Sequence, residues 1–132
     1  LATHQFTLNS VHESFYMKAH QTSARFGEFS SEFEGVGLTP EYIDDFHAPF
    51  VKESKLKISL RLASNMYVRL NNTRIIIGIV EKIYCEGQCD PNLFNFNDVD
   101  AVSVNGLDSY YKNEFFDKLG YSKVDEESKS IK

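Results

Sequence analysis

The chain has 132 residues, 42% hydrophobic and 25% charged, with a formal net charge of −5. That is one domain's worth of ordinary globular composition, neither disordered nor fibrous. The acidic balance argues against nucleic acid as the main partner, since a phosphate backbone calls for a basic face; no apolar run approaches the roughly 20 residues of a membrane-spanning helix.

The chain opens on Leu1 and enters a strand-like HQFTLNSV almost at once, which reads as a processed, truncated or partly ordered piece of something longer. Residues 5–9 alternate, with Phe6 and Leu8 on one face and Thr7 and Asn9 on the other. Ser10-Val-His-Glu13 has the form of a capping box. It predicts a helix through about His20, with Val11, Phe15 and Ala19 on one face, ending near Gln21-Thr22-Ser23. Residues 27–54 read as irregular apart from a short helix from Thr39-Pro40-Glu41 to Phe46. A connection of that length inside a domain points to function.

From Lys55 the period changes to two. Leu56, Ile58, Leu60 and Leu62 alternate with Lys57, Ser59 and Arg61, a strand with one buried and one wet face. Met66–Leu70 reads as a second short extended piece, and Asn71-Asn72 as a turn, because asparagine tolerates positive φ. Residues 73–84, TRIIIGIVEKIY, are β-branched enough for a strand, with Gly78 marking a bulge, a bend or the close approach of another backbone. Asp100–Val104 gives one more strand, and GLDSYYKNEFFDKL a helical or turn-rich close. The predicted fold is α+β and mainly β, a barrel or strongly curled sheet over residues 1–121, with a frayed polar tail over 122–132. Four or five strands fall short of the six or so that close a filled barrel, so strands are missing or a partner supplies them.

Catalytic clusters are hard to assemble. His4, His12, His20 and His47 have no metal-binding spacing, and no HExxH or G-x-S-x-G motif occurs. Cys85 and Cys89 read as reduced loop residues, in keeping with a cytoplasmic location. KAHQTSARF remains, with two hydroxyls and the Arg25 cation where a helix ends. It reads as an anion-binding loop or as the polar end of a helix, with an active site as the third possibility.

The segments HESFYMKAHQTSARF, SEFEGVGLTPEYIDDFHAPFVKES, LNNTRIIIGIVEKIY and VNGLDSYYK, in that order, resemble the flavin reductase-like, FMN-binding split-barrel family. The resemblance covers essentially the whole chain. It implies a split β-barrel homodimer with FMN bound noncovalently near the subunit interface. The implied activity is an oxidoreductase, with NAD(P)H as hydride donor to the flavin and electrons passed on to an acceptor. By that correspondence Asn9 and Ser10 line the flavin site. Thr22, Ser23 and Arg25 hold its phosphate or ribityl chain, and Ala24 and Phe26 pack beside them. His12 approaches through its amide, and Tyr110 and Tyr111 lie near the cofactor or across the dimer seam. Family members carry several strands ahead of the point where Leu1 begins, and many place a histidine where this chain has Asn71-Asn72-Thr73. Those departures keep open a carrier or sensor module, or an inactive fragment, without turnover of its own. A flavin carries its own redox chemistry, so no catalytic side chain is named.

Overall fold

The computed structural model describes residues 3–87 and 99–131. In chain order its elements are β1 (Gln5–Asn9), α1 (Tyr16–Gln21), α2 (Glu32–Val36), β2 (Pro40–Glu41) and β3 (Phe50–Val51), then β4 (Leu56–Val68), β5 (Thr73–Cys85), β6 (Val102–Asn105) and β7 (Ser109–Lys112). The main sheet is antiparallel with β4 at its centre, in the order β1-β4-β5; β2 pairs with β3, and β6 with β7.

The alternation from Lys55 becomes β4, and the expected second piece at Met66 is its continuation, so that β4 and β5 form one long hairpin. Asn72 takes φ 56° at its tip, the conformation the turn reading required. The pairing slips twice, between Ser59 and Leu60 and between Leu62 and Ser64, and such bulges bend a strand and increase its twist. Gly78 pairs with Leu62 beside the second slip. A Cβ at 78 would lie 2.5 Å from Phe6 Cζ and 3.0 Å from Leu60 Cδ2, so the close approach is made by a ring rather than by another backbone.

The polar face of β1 is not wet. Thr7 Oγ1 donates to the Pro49 carbonyl at 2.8 Å, while Gln5 Oε1 accepts from the His47 amide and Asn9 Oδ1 from the Val51 amide. Three alternate side chains thus hold residues 47–51 along the strand and seat Phe50 beneath them. Phe50 is fully buried, edge-on to Tyr84 at 5.4 Å and beside Phe46 at 5.8 Å. Burial of such a ring stabilises by about 1.5–3 kcal/mol.

Several expected elements differ. The capping box does not form: α1 starts at Tyr16 behind Phe15, with no side-chain cap. The Ser10 hydroxyl instead takes the Leu56 amide at 3.1 Å. Pro40 and Glu41 form an edge strand where a helix was expected, because the Glu53 carboxylate takes the Thr39 amide at 3.0 Å and Lys52 pairs with the Thr39 carbonyl. The helix of this region is α2, which lacks an apolar period and ends at Gly37 with φ 72°; Lys18 Nζ donates to the Gly37 carbonyl at 2.8 Å. DSYYK is strand β7, turned back on β6 through Gly106 at φ 69°. The polar tail folds back too, through a bridge between Leu119 and Ser130 and a bond from the Ile131 amide to the Lys118 carbonyl.

Beyond the bulges the β4–β5 hairpin is an arm. Met66, Tyr67, Ile75, Ile76 and Ile77 are all exposed there.

Candidate functional site: a cleft between the sheet and the β6–β7 hairpin

A cleft of about 380 Å³ lies where the end of β1 meets the β6–β7 hairpin. Leu8, Val11, Leu56 and Ile58 line it with Asn9 and Ser10 from the sheet side; Ala101, Val102 and Val104 face them, and Asn113 completes the lining. Apolar walls with a few polar groups, in this size range, are what small-molecule sites look like.

The hairpin is held to the sheet by main-chain and side-chain bonds. The Val102 amide donates to the Val11 carbonyl at 2.8 Å, and His12 bridges to Ala101. The His12 ring is only 2% exposed. Its Nε2 accepts from the Lys55 amide at 3.0 Å, and since an amide only donates, Nδ1 carries the proton and donates to the Asp100 carbonyl at 3.0 Å. Ser10 Oγ lies 2.8 Å from the same Nε2 and 3.0 Å from Ser54 Oγ. One buried imidazole therefore ties three segments together, at Ser10, Lys55 and Asp100, directly behind the cleft wall.

The sequence-predicted residues divide into two groups. Asn9 and Ser10 line the cleft, but their polar atoms are engaged: Asn9 holds Val51 and Thr7, and Ser10 is bonded within the His12 cluster. The His12 ring is behind the cleft. Tyr110 and Tyr111 line a neighbouring cavity of about 360 Å³ with Glu13, Tyr16, Val102, Asp108 and Lys112. There Tyr110 packs on Tyr16 at 5.3 Å and its hydroxyl lies 3.0 Å from His20 Nδ1, while Lys112 pairs with Glu13 at 2.7 Å.

Thr22, Ser23, Ala24, Arg25 and Phe26 line neither cavity. Thr22 Oγ1 donates to the Ala19 carbonyl at 2.7 Å and Ser23 Oγ to the His20 carbonyl at 2.8 Å, closing the last turn of α1. The Ala24 amide bonds to Gln21, and the Phe26 ring lies against Gly35 of α2. Arg25 is exposed, and its guanidinium has no protein partner among the described residues. Sequence reasoning missed Asn113, a lone amide between the aromatic pairs Tyr110-Tyr111 and Phe115-Phe116.

On the opposite side of the sheet, Asp44 accepts from the Tyr84 hydroxyl at 2.8 Å and from Lys82 Nζ at 3.0 Å. The Tyr84 bond first, then the Lys82 bond and charge, lower the Asp44 pKa. The same contacts raise Lys82, whereas Tyr84 is raised chiefly by burial and then by Asp44. Cys85 is not a free thiol, against expectation, and Cys89 lies outside the described residues. Among the described residues no helix is long and apolar enough to cross a membrane, and no three metal-ligating side chains converge.

No protein-family model matches the chain. Among solved structures, a flavin reductase with a split barrel domain from Shewanella frigidimarina NCIMB 400 is 41% identical, with a TM-score of 0.85 over 91% of this chain and 62% of that one. The chain thus has flavin reductase-like split-barrel proteins as its neighbours among solved structures and shares their fold. Flavoredoxin of Desulfovibrio vulgaris (Miyazaki F) shares the fold at a TM-score of 0.71 and 24% identity, over 94% of this chain and 64% of its own. A curated relative, an uncharacterized protein of Aquifex aeolicus strain VF5, is 35% identical over 78 residues, which make up 59% of this split-barrel chain and 39% of that protein. The chain thus spans under two thirds of the length of each of these relatives.

Proposed function

We propose that this split-barrel chain binds FMN in the β1/β6–β7 cleft and serves an oxidoreductase that moves a hydride from NAD(P)H to flavin. The observation that carries this is the 41% identity to a flavin reductase across 91% of the chain. The residues present fit the cofactor. The apolar cleft walls suit a flat ring system and exclude water from it. Arg25, a cation without a protein partner among the described residues, suits a phosphate. Thr22 and Ser23, already fixed by the last turn of α1, keep that loop in shape; Ala24 and Phe26 pack it against α2.

When bound, FMN supplies the hydride-accepting chemistry. This chain's own part is orientation and exclusion of solvent. Asn9 and Ser10 give the cleft a rigid floor, since their side chains are bonded within the protein. His12 fixes the hairpin over it, and Tyr110 and Tyr111 extend the aromatic surface beside it. The exposed isoleucines of the arm suit a second copy of the chain, the homodimer that the family resemblance implies, because exposed apolar patches of this kind mark contact surfaces.

The test is to mix purified protein with FMN and either NADH or NADPH, following the nicotinamide absorbance. Oxidation above the protein-free control supports the reading and shows which donor is used. A protein that retains flavin yet oxidises neither nucleotide is a carrier instead. One that binds no flavin rejects the proposal.

A further inference from the structure

Among the described residues, the amide and hydroxyl side chains of the cleft leave one hydrogen-bonding atom unused, and its orientation is fixed. Asn113 Nδ2 donates to the Ala101 carbonyl at 2.7 Å. A carbonyl oxygen only accepts, so the NH₂ half of the amide must face Ala101, and the oxygen half is determined by elimination. Asn113 Oδ1 has no protein partner among the described residues. The other two candidates are spent: Asn9 on Val51 and Thr7, and Ser10 on the His12 cluster.

We propose that Asn113 Oδ1 is the specificity contact of the cleft, accepting a ring N–H from its occupant. The occupant is accordingly a flat heteroaromatic ring bearing an imide or amide N–H. This deepens the flavin reading and rests on it, since the flavin pyrimidine ring carries an imide N–H. Empty, the exposed Asn113 is served by water at little cost. Once an occupant displaces that water against apolar walls, an acceptor without a donor costs the free energy of an unmade hydrogen bond. An analogue lacking the N–H is penalised for that reason.

The experiment is a fluorescence titration of the protein with FMN and with its N3-methyl analogue, repeated on Asn113→Leu and on the milder Asn113→Ala. Wild type should prefer FMN by about tenfold. In both variants FMN affinity should fall to that of the analogue, so the preference disappears. Circular dichroism confirms that each variant is folded, and either one suffices. Equal binding of FMN and the analogue by wild type overturns the assignment while leaving the flavin reading intact. A preference lost because the analogue binds better in the variants points to steric exclusion and also overturns it, as does a preference that survives both substitutions. Binding of neither ligand by wild type overturns the flavin reading and the assignment together.

Discussion

The Asn9 side-chain carbonyl accepts the Val51 amide at 3.0 Å, and so joins the end of β1 to β3 without any strand pairing between them. With Thr7 to Pro49 and Gln5 to His47 it forms a side-chain ladder at the two-residue period of a strand. Replacing Asn9 by Leu leaves the half-buried Val51 amide without its acceptor and should lower stability by about 1–3 kcal/mol. Urea denaturation measures it; a loss within error of zero would mean that water replaces the bond.

His12 carries more. His12→Phe keeps an aromatic ring beside Phe15, which meets it edge-on at 5.7 Å. It strands both the Lys55 amide and the Asp100 carbonyl. Two orphaned groups at about 1–3 kcal/mol each predict a loss of about 2–6 kcal/mol. Nitrogen NMR of the wild-type ring should also show the proton on Nδ1; a ring protonated on Nε2 contradicts the arrangement.

Much of this was legible in the sequence where local and tertiary demands agree. The strand from Leu56, the turn at Asn72 and a close approach at Gly78 carry through to the structure, but the wet face expected for β4 does not, since Ser59 is buried and Lys57 half-buried. Local signals failed where a distant group competed for the same atom. Ser10 has the right spacing from Glu13 to cap a helix, but its hydroxyl is better satisfied by Leu56, far along the chain. Thr39-Pro40 has the form of a helix start, yet Glu53 takes the amide that a helix would have left unsatisfied. The family resemblance names Asn9 and Ser10 as flavin-site residues, and both line the cleft. Asn113 could not be found this way, because its importance lies in the Ala101 carbonyl that orients it, and no sequence pattern records that pairing.

Gly78 should not tolerate a side chain while Phe6 stays in place. Gly78→Val brings its Cβ against Phe6 Cζ and Leu60 Cδ2. The resulting strain is worth about 1–3 kcal/mol. Since the closest atom belongs to a side chain, Phe6→Leu should relieve a measurable part of that cost in a double-mutant cycle. Strict additivity would show that the strand backbone, and not the ring, sets the limit.

The Asp44 cluster predicts a pH dependence. The folded-state pKa of Asp44 lies below its ordinary value, so the stabilisation is complete above about pH 3.9 and is lost as pH falls through the lowered folded value. Lys82 and Tyr84 are raised, so their contributions are complete at neutral pH and lost as pH rises through their folded values, above about pH 10. Asp44→Asn keeps the positive φ of 52° accessible while removing the charge. Urea midpoints of wild type and Asp44→Asn should therefore differ most at neutral pH and converge in acid. A constant difference across the acid range would remove Asp44 as the source.

Arg25 decides whether the loop after α1 serves the phosphate of a cofactor. Its neighbours Thr22 and Ser23 already spend their hydroxyl protons on α1 carbonyls, so the guanidinium is the strongest donor the loop has to offer. A charge-assisted hydrogen bond to phosphate is worth about 1.5–3 kcal/mol. Arg25→Ala should therefore weaken FMN binding by about 10- to 150-fold at low salt while leaving riboflavin, which has no phosphate, nearly unaffected. Equal losses for FMN and riboflavin would mean that Arg25 supports the ring site indirectly. No loss for either would return the loop to the role its bonds already show, the polar close of a short helix.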